Sequence, residues 1–387
     1  MRAYVKGAFF RTQQAIVLFS FYFYKLFFPY SLQRKWVIAG AETASMLYNL
    51  ASALPNSISV NFEKNKYYKF EYDYDFSTSN RFKIFNLLLV RPWLLGKLAA
   101  DHNNFIYLGS SGFCSFYDDG REWEFKFLKC KKKTIVCYYG GSEIRSFKLL
   151  NEYAAKNGID VLTTYQAITN PALASPKAEC RRYKLALASD KYADFIFNPP
   201  MDQMSYMTSE TLPCQYFVDK NLFSLNLGKY VGTFKPVIVH GPSSPLIKGT
   251  PLVRAAIKKL QQEGYEFEYR ELINVPHQVI LDNLKQAHIV LNEFYAFMPG
   301  VFTMEALANS CAVLTSADPE IETTLSENVT EAWMVTPYWL VYDHLKKLLD
   351  EPSLQKKYAE AGYLWAINNV ADDVAYERFA KLISEAR

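Results

Sequence analysis

HGPSSPLIKGT, residues 240–250, follows the apolar run PVIV and precedes a helical pattern. Small residues at the carboxyl end of a parallel strand let a ligand approach the backbone. His240, Gly241 and Ser243 line that loop, Lys248 adds a mobile cation, and Gly249 sets the turn into the helix. Together these suit an anion such as a diphosphate. A Lys-Gly pair before a helix is more often only a solvated loop.

A second stretch, FYAFMPGVFTMEALANSCAVLTSA, reads as loop, helix and strand. Pro299 and Gly300 make the turn, so Val301, Phe302 and Thr303 offer unpaired N–H groups at a helix start. Such a start favours phosphate through its dipole and its free donors. Glu305 then falls in the expected first turn. It would repel phosphate but accept hydrogen bonds from a ribose diol; the plainer alternative is a charge that complements the helix dipole. Tyr139-Gly140-Gly141-Ser142-Glu143 ends another strand. There Glu143 and Arg145 are either reactive-site groups or charges on a helix that Ser142 caps. His277 and His288 have no partner visible in sequence, and no cysteine spacing suits zinc.

These residues need elements to hold them. Strand patterns at 35–40, 57–62, 105–109, 134–139, 194–198 and 214–218 alternate with helical segments. A second series has strands at 236–241, 265–270, 288–292 and 311–316, and closes with helices near 343–349, 353–369 and 374–386. Alternation of this kind predicts two parallel α/β domains. The 387 residues suffice for both, and 50% are hydrophobic. The formal charge of +4 is too small to argue for nucleic acid. The six cysteines read as reduced core thiols of a cytoplasmic protein.

The N-terminal segment stands apart. It carries Arg2, Lys6, Arg11, Lys25, Arg34 and Lys35 before the first acid, Glu42. Only 13 residues separate Arg11 from Lys25, against the ~20 of a spanning helix. A basic helix rich in Phe and Tyr can lie in a lipid interface, or it can pack on the protein. The cluster Lys129 and Lys131–Lys133 is a solvated edge or an addition to those cations.

The run IKGT, then INVPHQVILDNLKQAHIVLNEF, then PGVFTMEALANSCAVLTS resembles the donor domain of GT-B glycosyltransferases, close to family 4. KWVIAGAETASMLYNLASAL, TIVCYYGGSEIRS and KYADFIFNPP resemble its acceptor domain. The resemblance implies an α/β, GT-B architecture with two Rossmann-like domains facing a cleft. It divides the chain into an N-terminal segment (1–34), an acceptor-side domain (35–232), a donor domain (233–370) and a helix crossing back (371–387). It implies a retaining, metal-independent hexosyltransferase with no cofactor beyond its nucleoside-diphosphate sugar. The acceptor is a glycan or lipid-linked saccharide of cell-surface polysaccharide synthesis, at the inner face of the cell membrane.

Lys248 would meet the diphosphate, beside His240, Gly241, Ser243 and Gly249. The N–H groups of Val301, Phe302 and Thr303 would hold the distal phosphate, with Gly300 in the same donor-binding turn. Glu305 would bind ribose, and Ile273, Asn274, Val275 and Pro276 the base. Glu305, Lys248, Glu143 and Arg145 form the catalytic set, with Gly40, Ala41, Gly141 and Ser142 on the acceptor side. Two positions depart from the family. Phe297 stands where a first glutamate is common, with Glu293 four residues earlier, and Gly140 where a histidine is common. They motivate the alternative, a non-catalytic protein that keeps the nucleotide site. The other glycosyltransferase fold uses a DxD motif, and Asp73-Tyr74-Asp75 matches it only in letters.

Overall fold

The computed structural model describes residues 2–28, 36–65, 67–77, 82–114, 119–232, 235–326 and 328–385. Arg34, Lys35, Phe234 and Ala386, and with them the expected limits at 34/35 and 232/233, lie outside or against the edge of these residues.

Two parallel sheets organise the chain. The first contains β1 (Trp36–Gly40), β2 (Ser57–Asn61), β3 (Tyr74–Asp75), β4 (Asn104–Leu108), β5 (Thr134–Tyr138) and β6 (Phe195–Phe197), in the order β3-β2-β1-β4-β5-β6. The second contains β7 (Val237–His240), β8 (Glu268–Glu271), β9 (Ile289–Leu291), β10 (Ala312–Thr315) and β11 (Met334–Val335), in the order β11-β10-β9-β7-β8. Helices cover both faces, so β4, β5 and β10 are almost wholly buried apolar runs. Strand order reverses between β1 and β4 and between β7 and β9, which opens a crevice at the carboxyl ends of each sheet. Gly40 ends β1 at the first crevice. A Cβ there would lie 2.2 Å from the Leu108 carbonyl oxygen, so only glycine fits.

Three expectations change. Residues 214–218 form no strand; the chain makes single bridges, Phe197 with Leu212 and Val218 with Ala371. Val218 N donates to Val370 O at 2.8 Å, and Val218 O accepts from Asp372 N at 3.0 Å. The segment therefore ties the last helix down instead of extending a sheet. The stretch AETASMLYNLASALPN after β1 reads in sequence as one helix closed by Pro55, but the helix is shorter, Met46–Ala53. Ala44 and Ser45 take φ of 51° and 63°, and the Glu42 carboxylate accepts from the N–H groups of Leu47 and Tyr48. Burial raises the Glu42 pKa despite these bonds. Of the thiols, Cys114, Cys137 and Cys311 are buried, but Cys130 and Cys180 are exposed; all six are free.

The helix Asp372–Glu385 crosses back to the first sheet. Ala375, Phe379 and Ile383 join the cluster of Ile38, Phe197 and Phe217, with Phe379 stacked on Phe197 at 5.1 Å. At the other end, the helix Arg2–Phe27 packs on Arg91–Asp101. Gly96 makes the approach close: a Cβ there would be 1.9 Å from Ser20 Oγ. Gln13, Val17, Ser20 and Phe21 are buried, so this helix packs on the protein with one face and leaves the other open. Among the described residues no helix is long and apolar enough to cross a membrane.

Candidate functional site

The carboxyl ends of both sheets line one cavity of about 400 Å³. Leu108, Tyr138, Gly140 and Glu143 come from the first domain; Gly241, Ser243, Lys248, Glu293 and Glu305 come from the second.

Lys248 sits in the turn that follows β7. Its N–H donates to Ser244 O at 3.0 Å, and Gly249, at φ 76°, then opens the helix Thr250–Gln262. A Cβ on Gly249 would meet Phe294 at 3.2 Å, so the residue serves the turn and a close packing contact. Lys248 Nζ is paired with the Glu293 carboxylate. Glu293 leaves β9 with φ 37°, a conformation that side chains other than glycine rarely adopt.

Opposite them the helix Gly300–Ala308 begins. Gly300 N donates to Tyr216 Oη at 3.2 Å. Val301 and Phe302 line the cavity from the first turn, where N–H groups have no intrahelical acceptor. Asn292 Nδ2 donates to Pro299 O at 2.9 Å and to Thr303 Oγ1 at 3.0 Å, which fixes the helix start against β9. Lys248, Val301 and Phe302 thus face one space.

The helix begins earlier than its pattern, so Glu305 lies beyond the first turn. It is buried, and its Oε1 is 2.6 Å from His277 Nε2. The Tyr68 ring lies 4.8 Å from the His277 ring. Tyr67 Oη approaches Asn274 Oδ1 at 3.4 Å. The aromatic stretch around residues 64–72 therefore reaches from the first domain across to the loop after β8. Burial and the Glu305 charge hold the Tyr68 hydroxyl well above its usual pKa. Val275 and Asn274 line the main cavity, and Pro276 a shallower one beside it; Ile273 lines neither.

Several expected residues stand elsewhere. His240 is buried, with Nδ1 2.8 Å from Leu291 O and Nε2 2.9 Å from Thr250 Oγ1. It joins β7, β9 and the next helix and does not line the cavity. Burial lowers its pKa to about 4. Arg145 is turned into the domain: Nε donates to Asp202 O at 2.6 Å, Nη1 to Ser142 Oγ at 2.5 Å, and Nη2 pairs with the Asp202 carboxylate. It leaves the catalytic set. Thr303 is buried against Asn292, and Thr43 and Ala44 line the cavity where Gly40 and Ala41 were expected. Gly141 N donates to Glu143 Oε2 at 2.9 Å. Ser142 and Glu143 also border a second cavity of about 220 Å³ with Arg121 and Arg182.

Phe297 is buried with Leu150, Ala154 and Val161, so no carboxylate replaces it in place; Glu293 supplies one from the neighbouring turn. Asp73 accepts from Ser59 N and Oγ, and Asp75 from Asn61 Nδ2, which makes the DxD letters part of a strand edge. No group of three or more His, Cys, Asp or Glu among the described residues is placed to hold a metal ion. The sequence does not single out Tyr67, Tyr68 or Tyr216, and His277, which shows no partner in sequence, finds one in Glu305. Only the density of tyrosines at 67–74 marked the first two.

No protein-family model matches the chain, and no curated protein matches it. Solved structures do. A sucrose-phosphate synthase from Thermosynechococcus elongatus aligns with TM-score 0.55 and 12% identity, over 91% of this chain and 98% of that one. HepE of Anabaena, solved with UDP-glucose, aligns with TM-score 0.54 and 9% identity, over 91% and 99%. A glycosyltransferase from Rickettsia africae aligns with TM-score 0.51 and 11% identity, over 92% and 99%. At these identities the likeness establishes the fold: a GT-B architecture of two Rossmann-like α/β domains.

Proposed function

We propose that the chain is a GT-B glycosyltransferase that moves a hexose from a nucleoside-diphosphate sugar to a glycan or lipid-linked acceptor of cell-surface polysaccharide synthesis. The carrying observation is the convergence of Lys248 and the open end of the helix Gly300–Ala308 on one cavity between the two domains. Lys248 and the N–H groups of Val301 and Phe302 bind the diphosphate. Glu305, oriented by His277, accepts from the ribose hydroxyls. The loop 274–276 and the tyrosines facing it flank the base. HepE, which shares this fold, was solved with UDP and with UDP-glucose, which favours a uridine donor as the first to try.

In the reaction the bond from the sugar C1 to the β-phosphate oxygen breaks and a bond to the acceptor hydroxyl forms on the same face. The hydroxyl proton passes to the departing phosphate oxygen. No side-chain base is then required. Catalysis rests on positioning and on meeting the negative charge that grows on the leaving group. Glu293, which lines the same cavity beside Lys248, is the carboxylate assigned to the transferred sugar.

Binding without transfer is the second reading, favoured by the apolar setting of Phe297. One experiment separates the two: a panel of nucleotide sugars, with calorimetric affinity and released nucleoside diphosphate both measured. Binding with slow donor hydrolysis supports the transferase; binding with none supports the second reading. No binding of any member overturns both.

A further inference from the structure

The outer face of the helix Arg2–Phe27 carries apolar side chains that are exposed among the described residues. Phe19 is 62% exposed and Leu26 76%. The helical segments Lys83–Phe85 and Asn86–Val90, which run straight into Arg91–Asp101, carry more of them: Ile84 is 74% exposed, with Phe82 and Phe85 beside it in sequence and also exposed. The two segments pack side by side. Gln13 Nε2 donates to Leu87 O at 2.8 Å. Farther along, Phe23 lies 6.1 Å from Phe19, 6.0 Å from Trp93 and 5.1 Å from Phe27. Scattered exposed hydrophobes are ordinary, but a contiguous aromatic face is a contact surface.

Charge selects the occupant. The helix carries Lys6, Arg11 and Lys25 and no acidic residue. Lys131 joins it from the end of the helix Glu122–Cys130, donating to Tyr22 Oη at 2.9 Å. A second copy of this chain would bring the same cations to the same face, which disfavours a symmetric pair. A bilayer of anionic lipids accepts both properties: rings enter the acyl boundary while ammonium groups stay among the phosphates. Since no described helix can span, the contact lies in the plane of the interface.

Topology places this surface beside the cleft. In a parallel sheet the helix leading into a strand starts at the carboxyl-end side. Arg91 begins the helix before β4, and its Nη2 donates to Gly112 O, just past the end of β4. Gly112 borders the 220 Å³ cavity that also contains Glu143, a residue of the main cavity. We infer that the outer face of the helix Arg2–Phe27, with residues 82–89, docks on an anionic membrane and sets the acceptor side of the cleft at the lipid surface.

The inference does not rest on the donor reading, and nucleotide affinity measured on the same samples keeps the two apart. The test is flotation of the full chain with vesicles of phosphatidylcholine alone and of phosphatidylcholine mixed with phosphatidylglycerol. The chain is expected to float with the mixed vesicles, several-fold less with the neutral ones, and less again as salt rises. Ile84→Glu with Phe85→Glu, at exposed positions, is expected to reduce flotation roughly tenfold while nucleotide affinity holds. Brominated lipid in the mixed vesicles is expected to quench Trp93. Failure of the wild-type chain to float with anionic vesicles overturns the inference. So does flotation that the double variant leaves unchanged, or a stable dimer in solution that the same variant dissociates.

Discussion

Glu305 Oε1 lies 2.6 Å from His277 Nε2, and that contact joins the helix Gly300–Ala308 to the start of the helix His277–Leu284, which follows β8. The two residues belong to separate motifs in the sequence. In the fold they make one unit beside Tyr68, with the carboxylate buried at the wall of the cavity between the domains. A buried carboxylate needs its hydrogen bonds, and the imidazole supplies one while leaving the other oxygen for a ligand.

Glu305→Ala is therefore expected to weaken binding of a nucleoside diphosphate by about 10- to 100-fold, the size of a hydrogen bond to a charged group. The loss is expected to vanish for the 2′,3′-dideoxy nucleotide, which lacks the hydroxyls. His277→Gln is expected to give a smaller loss, because it disorients the carboxylate without removing it. Calorimetry on the four combinations checks this. Equal losses for both nucleotides would place Glu305 outside the ribose contact.

Lys248 is already partnered before a donor arrives, because Glu293 holds its ammonium. A diphosphate must displace that carboxylate. Lys248→Ala is expected to weaken diphosphate binding about 10- to 100-fold while the free nucleoside binds as before. Glu293→Gln removes the competitor, so nucleoside diphosphate is expected to bind a few-fold more tightly. If Glu293 also holds the transferred sugar, turnover falls in the same variant. Tighter binding with slower release of product from donor sugar is the expected pair of readings; weaker binding would show that the carboxylate assists the lysine.

The sequence showed the site's backbone parts more clearly than its side-chain pairings. Lys248, Val301 and Phe302 were legible because each sits at or just before a helix start, where local spacing reports position, and Glu305 because it follows Val301 and Phe302 within the same short helix. His240 and Arg145 misled because the same spacing does not say which way a side chain turns. His240 turns inward to bond Leu291 O and Thr250, and Arg145 to bond Asp202, a partner far along the chain. His277 and Tyr68 were illegible for the same reason: their partners are non-local. The alternating sheets were readable from apolar runs, while residues 214–218 carry a strand's composition but find only single-bridge partners.

Gly96 tests the attachment of the first helix. The approach of Ser20 and Val17 to this position leaves no room for a side chain. Gly96→Leu is expected to destabilise the domain by roughly 1–3 kcal/mol and to loosen the helix Arg2–Phe27 first. Lower melting temperature together with earlier proteolytic loss of the N-terminal segment is the expected outcome. Unchanged protease resistance would mean that the two helices can separate slightly without cost.

His240 gives the fold a pH dependence of definite sign. Burial lowers its folded pKa to about 4, against 6.5 for an ordinary histidine. Between these values the unfolded chain takes up a proton that the folded chain refuses. Stability from this residue is thus complete above pH 6.5 and declines as pH falls, until both states are protonated below about 4. The full difference is on the order of 3 kcal/mol. His288 and His344 are also lowered, by burial first, and add to the same trend. Urea denaturation at neutral pH and at about pH 5, where the linkage is largely developed, is expected to show a smaller pH effect in His240→Gln than in the wild type. The variant is less stable at neutral pH, since the bonds to Leu291 and Thr250 are weakened, so the comparison rests on the change with pH and not on the absolute value. An identical change in both proteins would mean that the imidazole titrates normally and that the end of β7 is open to water.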